Sequence, residues 1–143
     1  PIRWPVPDPV SVDPGSQRPT ADQTRIKRLT ALGVAAERAG AGLGFAQAVG
    51  DLLWRGEVDD WDQGDHLASA AARAGLDLVM LDRVIANDPA EFEAAIAANE
   101  ADQREAGHWG VPLMVLDGEP FFGQDRLAAL RWRLDRRATQ AAA

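Results

Sequence analysis

Residues 107–127 read GHWGVPLMVLDGEPFFGQDRL and differ from the Ala-rich, charged sequence on either side. The apolar run Leu113–Leu116 follows a Val-Pro step and ends at Asp117-Gly118, a dipeptide typical of a two-residue hairpin turn. A second short strand is expected over Glu119–Phe122, and Gly-Gln-Asp-Arg then opens a helix expected to run from Gln124 to about Arg137. The stretch therefore predicts a β-hairpin followed by a helix.

The sequence before this hairpin predicts helices. Six of the nine prolines lie within residues 1–19, which are expected to form an extended arm with Ile2-Arg3-Trp4 as the end of a strand. Residues 20–106 carry apolar side chains at helical spacing, and no strand is expected inside residues 25–53. Helices are expected from Thr20 or Thr24 to about Arg38, through Phe45 to about Gly56, from a cap at Asp62 to Gly75, over Leu78–Ala86, and from Pro89 to about Ala106.

Composition argues against several classes of function. The 143 residues carry a net charge of −7, which disfavours nucleic-acid and acidic-membrane surfaces, and no apolar run is long enough to span a membrane. Cysteine is absent, which leaves no disulfide, thiolate or Cys-based metal site in this sequence. The two histidines, His66 and His108, are far apart in sequence, so no metal site is expected. With no signal-peptide pattern, we expect a cytoplasmic protein.

The apolar pattern also predicts a core. The acidic residues Asp59, Asp60, Asp62 and Asp65 lack the spacing of a calcium loop and are interpreted as a solvated helix start. The side chains expected to be largely buried share helical spacing with their neighbours. They are Phe45, Leu52, Trp54, Trp61, Leu67, Phe92 and Ile96, together with Leu127, Leu130 and Leu134 facing inward from the last helix.

The order helix, Gly-Val-Pro, strand, turn, strand, helix resembles that of the second half of a thioredoxin fold. In that fold the proline before the first of these strands is cis, so we expect a cis bond between Val111 and Pro112. Such a proline turns the N–H and C=O of the preceding residue outward, where they can pair with an extended, peptide-like ligand as an added strand would. The main chain of Val111 is therefore a candidate binding site.

Residues 107–134, GHWGVPLMVLDGEPFFGQDRLAALRWRL, resemble the C-terminal signature of the DsbA-like thioredoxin superfamily. The resemblance is closest to the 2-hydroxychromene-2-carboxylate isomerases and kappa-class glutathione transferases, which show Gly-Val-Pro, a strand, a Gly-Glu turn and Phe-Gly-Gln-Asp-Arg-Leu. It implies an α/β, thioredoxin-like fold for the C-terminal part. Residues 1–19 would then end the N-terminal thioredoxin motif, 20–106 would be a large all-helical insertion, and 107–143 would be the C-terminal hairpin and helix.

The resemblance also implies a glutathione site. In glutathione-binding members the residue before the cis-proline, here Val111 beside Pro112, makes main-chain bonds to the cysteinyl part of glutathione. The pair at Gln124 and Asp125 contacts the γ-glutamyl group. Free N–H groups at a helix start favour a carboxylate, and Asp125 can pair with the α-ammonium group. The alternative is that Asp125 only caps the helix.

Two neighbours of Val111 are further candidates. Trp109 is a candidate for lining an aromatic substrate pocket. His108 is a candidate acid–base group, although a lone histidine beside a tryptophan at a helix end more often packs and caps that helix. The alternatives stay open for both residues.

The reactive serine or cysteine of the family, which starts the first helix, has no counterpart in this sequence. We therefore expect a family member without its first βαβ unit, inactive by itself. The preferred hypothesis is a homodimeric, glutathione-dependent isomerase or transferase that acts on small aromatic or electrophilic substrates. Two alternatives remain: a DsbA-like thiol–disulfide oxidoreductase whose Cys-x-x-Cys lies in the absent N-terminal part, and a non-catalytic domain that binds a partner through its hairpin edge.

Overall fold

The computed structural model describes residues 2–141 as two compact units, one ending at Ile96 and the other beginning at Ala97. Within these residues there are six α-helices, one antiparallel two-stranded sheet and a short 3-10 helix. None of the helices described combines the length and the apolar character that crossing a bilayer requires. The elements are α1 Thr24–Arg38, α2 Gly42–Trp54, α3 His66–Arg73, α4 Leu78–Asn87, α5 Pro89–Glu105, β1 Leu113–Leu116, β2 Glu119–Phe122, the 3-10 helix Gln124–Arg126 and α6 Leu127–Ala141.

The core of the first unit lies between α1, α2, α3 and α4. Small side chains let these helices approach closely, and large ones fill the space between them. The predicted burial of Phe45, Trp61, Leu67 and Phe92 is confirmed, while Leu52 and Ile96 are half-buried. The buried apolar set of this unit is Leu32, Ala35, Ala36, Phe45, Ala48, Val49, Leu53, Trp61, Leu67, Ala70, Ala71, Leu81 and Phe92.

Trp54 is the exception, and its predicted burial is wrong. It is the last residue of α2 and remains 38% exposed. Its ring meets the ring of Trp4 edge-on at 5.2 Å between centroids, and its C=O accepts the Arg3 N–H at 3.2 Å. The predicted strand end at Ile2-Arg3-Trp4 is also wrong, because these residues instead run beside the end of α2 without forming a strand.

The proline-rich arm is fastened to the segment that follows α2. The Asp60 N–H donates to the Val6 C=O at 2.7 Å, and the indole Nε1–H of Trp61 donates to the Pro7 C=O, also at 2.7 Å. Pro7 has no N–H and its C=O has no helix or strand to pair with, so a side chain supplies the partner. Trp61 thus joins the arm to the core.

The predicted cap at Asp62 is wrong, because this carboxylate is occupied elsewhere. Arg25 of α1 donates to it at 2.7 Å, and α3 begins later, at His66 with Asp65 in the capping position. Asp62 therefore joins α1 to the segment before α3. Burial raises the pKa of the Asp62 carboxyl, but the hydrogen bond and positive charge of Arg25 outweigh burial and hold that pKa below its ordinary value.

We expect Asp62→Asn to lower the free energy of unfolding by about 1–2 kcal/mol at neutral pH, since Arg25 loses a charge-assisted partner. A depressed folded-state pKa gives stability above the ordinary pKa of about 4, and this stability is lost as pH falls through the folded-state value. Urea unfolding at neutral pH and at about pH 2 should therefore show the difference from wild type shrinking in acid.

Asp82→Asn, which breaks an exposed pair with Arg28, is the matched control and should lower the free energy of unfolding by at most about 1 kcal/mol. A loss from Asp62→Asn that persists undiminished in acid would contradict this assignment.

The hairpin of the second unit has the bounds that the sequence predicts. β1 pairs antiparallel with β2, with Leu113 opposite Phe122 and Leu116 opposite Glu119. Asp117 and Gly118 both have positive φ, 52° and 81°. A two-residue turn with two positive φ values matches the right-handed twist of the strands it connects, and Asp-Gly adopts it readily. The hairpin prediction is confirmed.

The inward-facing leucines predicted for the last helix are largely wrong. Leu127 and Leu134 are exposed, and Leu130 is half-buried. Two strands offer little apolar surface for a helix to cover, and Phe121 is the one large side chain buried among residues 97–140. α6 is instead connected to the hairpin by ion pairs, Arg133 to Glu119 at 2.7 Å and Arg137 to Asp117 at 2.9 Å.

Candidate functional site

The candidate site is built on the loop between α5 and β1, residues 107–112. Gly107, with φ of 86°, ends the helical path, and the loop then folds back toward α5. The side-chain amide of Gln103, on the last turns of α5, donates to the C=O of Trp109 at 3.2 Å and to the C=O of Gly110 at 3.1 Å. The helix thus holds two consecutive carbonyl groups of the loop.

A stack of three rings holds the other side of the loop. The His108 ring lies 3.6 Å from the Phe122 ring and 5.8 Å from the Trp109 ring, centroid to centroid, with nearly parallel planes. Its Nδ1 accepts the Gly110 N–H at 2.8 Å. Gly110 is buried, and a Cβ there would overlap the Phe122 ring and come within 2.9 Å of His108 Cε1, so a side chain at this position would displace the stacked rings.

Val111 follows this fixed segment and is open to solvent. The bond from Val111 to Pro112 is cis, which confirms the prediction, and the Val111 residue is 80% exposed. Within residues 2–141 no hydrogen bond reaches its N–H or its C=O. The main-chain donor and acceptor of Val111 are therefore both free to pair with a bound molecule.

The helix start that carries the other two candidates is tied to the same loop. The Gly123 N–H donates to the Pro112 C=O at 3.0 Å, and Gln124 and Asp125 follow at once as the first residues of the 3-10 helix. Both side chains are exposed. The structure therefore brings Val111, Pro112, Gln124 and Asp125 together around one hydrogen bond.

The Asp125 carboxylate is not used as a cap within the described chain. It accepts none of the hydrogen bonds found among residues 2–141, and Gly123, which has no side chain, stands in the capping position. One carboxylate oxygen lies over Gly123, within 2.6 Å of where a Cβ would stand. Its nearest charged partner is Arg126 at 3.6 Å, and both side chains are more than half exposed. This exposed carboxylate can therefore bind a cation without breaking a hydrogen bond of the fold.

Trp109 is exposed to solvent, whereas His108 packs against the hairpin. Trp109 is 86% exposed, so its indole can contact a bound molecule. His108 packs against Phe122, as one interpretation of the sequence expected, but no hydrogen bond joins it to a carbonyl of α5 in the described residues. Sequence reasoning missed Gln103 as a loop-holding residue, because nothing in the spacing of a helical glutamine signals bonds to a loop.

The acidic residues near position 60 do not converge. Asp59 pairs with Arg3 and Asp62 with Arg25, and among the residues that the structure describes no group of three or more His, Asp or Glu side chains is placed to hold a metal ion. Charge is therefore distributed in separate ion pairs along this segment.

Comparisons with known proteins identify the family. The model of the DSBA-like thioredoxin domain matches residues 16–135, which is well over half of the chain and includes the loop, the hairpin and the start of α6. No curated protein and no solved structure matches the chain. The resemblance of residues 107–134 to the DsbA-like superfamily is thereby confirmed, and the chain belongs to the family of DSBA-like thioredoxin domains.

Proposed function

We propose that the chain binds glutathione and serves a glutathione-dependent isomerase or transferase of the 2-hydroxychromene-2-carboxylate isomerase type. Its substrates are small aromatic or electrophilic molecules. The observation that carries the proposal is the free main chain of Val111, joined through the Pro112–Gly123 hydrogen bond to the helix start with Gln124 and Asp125. Family membership supports thiol chemistry, since such domains are typically oxidoreductases or isomerases.

In the proposed complex, the cysteinyl part of glutathione lies along Val111. The N–H and C=O of the cysteinyl part pair with the C=O and N–H of Val111, as an added strand pairs with a sheet edge. The γ-glutamyl carboxylate accepts from N–H groups at the start of the 3-10 helix and from Gln124, while its ammonium group faces Asp125. The exposed indole of Trp109 contacts the substrate. We further propose a homodimer, with residues 20–106 as a helical insertion in the thioredoxin-like domain.

The proposed chemistry uses the sulfur of glutathione, because these 143 residues contain no cysteine. The thiolate gives its electron pair to an electrophilic carbon of the substrate, forming a C–S bond while a π bond of that carbon opens and its pair moves onto a conjugated oxygen. In an isomerase the substrate rearranges, the pair on oxygen re-forms the π bond, and the C–S pair returns to sulfur; in a transferase the adduct takes a proton from water and leaves with the C–S bond intact. Residues 97–143 contain neither serine nor cysteine, and Ser11, Ser16 and Ser69 do not start a helix, so we propose that this chain binds glutathione without turnover.

Calorimetric titration of the 143-residue chain tests the proposal. Glutathione is expected to bind more tightly than cysteinylglycine, which has the same thiol and lacks the γ-glutamyl group, by roughly tenfold or more for the loss of its charge-assisted hydrogen bonds. Equal affinity for the two thiols would remove the γ-glutamyl site, and glutathione-dependent turnover by this chain would overturn the proposal that it is inactive alone.

A thiol–disulfide oxidoreductase is the second candidate, favoured by the description of the matching family. Its substrate would be an extended peptide lying along Val111, and the reactive thiol would have to be supplied from outside these residues. The same titration separates the two functions. A cysteine-containing peptide that binds more tightly than glutathione, with no preference for a γ-glutamyl group, would favour the oxidoreductase.

A further inference from the structure

We propose that Gln103 and neutral His108 are positioning residues that hold loop 107–112 so that the main chain of Val111 faces the ligand, and that protonation of His108 weakens this hold by removing its bond to Gly110. The ligand in this inference rests on the proposed glutathione function, but the grip on the loop is independent of any ligand. Both residues act through the backbone and neither needs to touch glutathione.

The direction of the Val111 N–H is fixed by Gln103. The Gly110 C=O and the Val111 N–H belong to one planar peptide unit, so a bond to the carbonyl sets where the N–H points. Gln103 makes that bond at 3.1 Å. It also bonds the Trp109 C=O, while His108 takes the N–H of the same Trp109–Gly110 peptide unit. Two successive peptide planes are thus held in place before the chain reaches Val111.

The His108 bond exists only when Nδ1 carries no proton. A neutral imidazole offers one acceptor nitrogen, whereas an imidazolium has N–H groups on both nitrogens. At 2.8 Å a protonated Nδ1 would place its hydrogen against the hydrogen of the Gly110 N–H. Stacking on Phe122 and Trp109 survives protonation, because a cation is also attracted to an aromatic face. Protonation therefore removes only the bond to the Gly110 N–H, and the Trp109–Gly110 peptide unit is then held by Gln103 alone.

The groups in direct contact with His108 carry no charge. Its ring packs against Phe122 from β2 and Trp109 from the loop, neither of which titrates. α5 faces the loop with the neutral amide of Gln103. In the part of the chain that the structure describes, no charged side chain forms an ion pair or a hydrogen bond with His108. Protonation would thus act on the Gly110 bond itself.

The test uses the 143-residue chain, ¹⁵N labelling and S-methylglutathione, whose lack of a free thiol keeps its own charge constant over the range used. His108→Asn keeps an acceptor near the Nδ1 position and cannot titrate, while His108→Phe keeps a ring and loses the acceptor. His66→Asn, in the other histidine of the chain, is the matched control. The Gly110 amide resonance and the dissociation constant are measured at several values between about pH 5 and about pH 8.

In the wild type, the Gly110 amide should shift with the protonation of His108, and affinity should fall roughly three- to tenfold toward acid, the scale of one hydrogen bond. His108→Asn should bind equally well at both pH values, His108→Phe weakly at both, and His66→Asn like the wild type. A Gly110 amide resonance that does not shift with pH overturns the inference. So does an affinity that still depends on pH in His108→Asn. If the Gly110 amide resonance shifts with pH as expected but S-methylglutathione does not bind, the hydrogen bonds that hold the loop are supported and the proposed function is overturned.

Discussion

Asp125→Asn is expected to weaken glutathione binding by roughly tenfold to a hundredfold, which corresponds to the loss of about 1.5–3 kcal/mol in a charge-assisted hydrogen bond. The variant keeps the size of the side chain and removes only its charge. Because Asp125 accepts no hydrogen bond within residues 2–141 and its pair with Arg126 is long and exposed, the fold should lose little. Titration with glutathione and a melting curve on the same sample measure both effects.

Two further variants separate binding from capping and from general charge. If Asp125 only capped the helix, Asp125→Asn would bind normally, since asparagine caps as well as aspartate, and Asp125→Ala would melt at a lower temperature. Asp135→Asn removes a charge from α6, ten positions further along the chain, and should leave glutathione affinity unchanged. Unchanged affinity in Asp125→Asn would remove Asp125 from the site.

The hairpin was predictable because the residues that determine it are adjacent in sequence. Asp117-Gly118 can take the two positive φ values of a tight turn, and the strands on either side then follow by counting outward. The cis bond at Pro112 was predictable only from the order of the elements around it. The hairpin, unlike the cis bond, therefore follows from a short stretch of sequence alone.

The incorrect predictions concern residues whose environment depends on contacts distant in sequence. Asp62 was expected to cap a helix, but Arg25, 37 positions away in sequence, competes for its carboxylate. The leucines of α6 have helical spacing, yet spacing predicts a stripe and not the amount of apolar surface that a hairpin offers it. In each case the outcome depends on tertiary neighbours.

The candidate site divides in the same way. Val111, Pro112, Gln124 and Asp125 were found by resemblance, and the structure brings them together around the Pro112–Gly123 hydrogen bond. Gln103 was missed because a side chain that bonds backbone carbonyls leaves no pattern in the sequence. The positions of the candidate site were thus named from the sequence, and their binding of a ligand stays a prediction, while the loop contacts of Gln103 left no such signal.

Trp61→Ala is expected to lower the free energy of unfolding by about 3–5 kcal/mol, the largest stability effect that we expect in this chain. Trp61 is 2% exposed, so its removal leaves a cavity in the core of the first unit. It also leaves the Pro7 C=O without the indole donor that lies 2.7 Å away. A loss of this size is a large fraction of the 5–15 kcal/mol that stabilises a typical domain, so the variant should melt far below the wild type.

Trp54→Ala is the matched control, because sequence spacing expected both tryptophans in the core and the structure buries only one. Trp54 is 38% exposed and meets Trp4 edge-on, so its loss should cost about 1 kcal/mol, the scale of an aromatic pair. Trp61→Phe should fall between the two, since phenylalanine fills most of the cavity and donates no hydrogen bond to Pro7. Urea unfolding followed by far-UV circular dichroism ranks the three variants. Equal losses from Trp61→Ala and Trp54→Ala would contradict the placement of Trp61 as the link between the arm and the core, because only a buried, hydrogen-bonded indole makes the two positions differ.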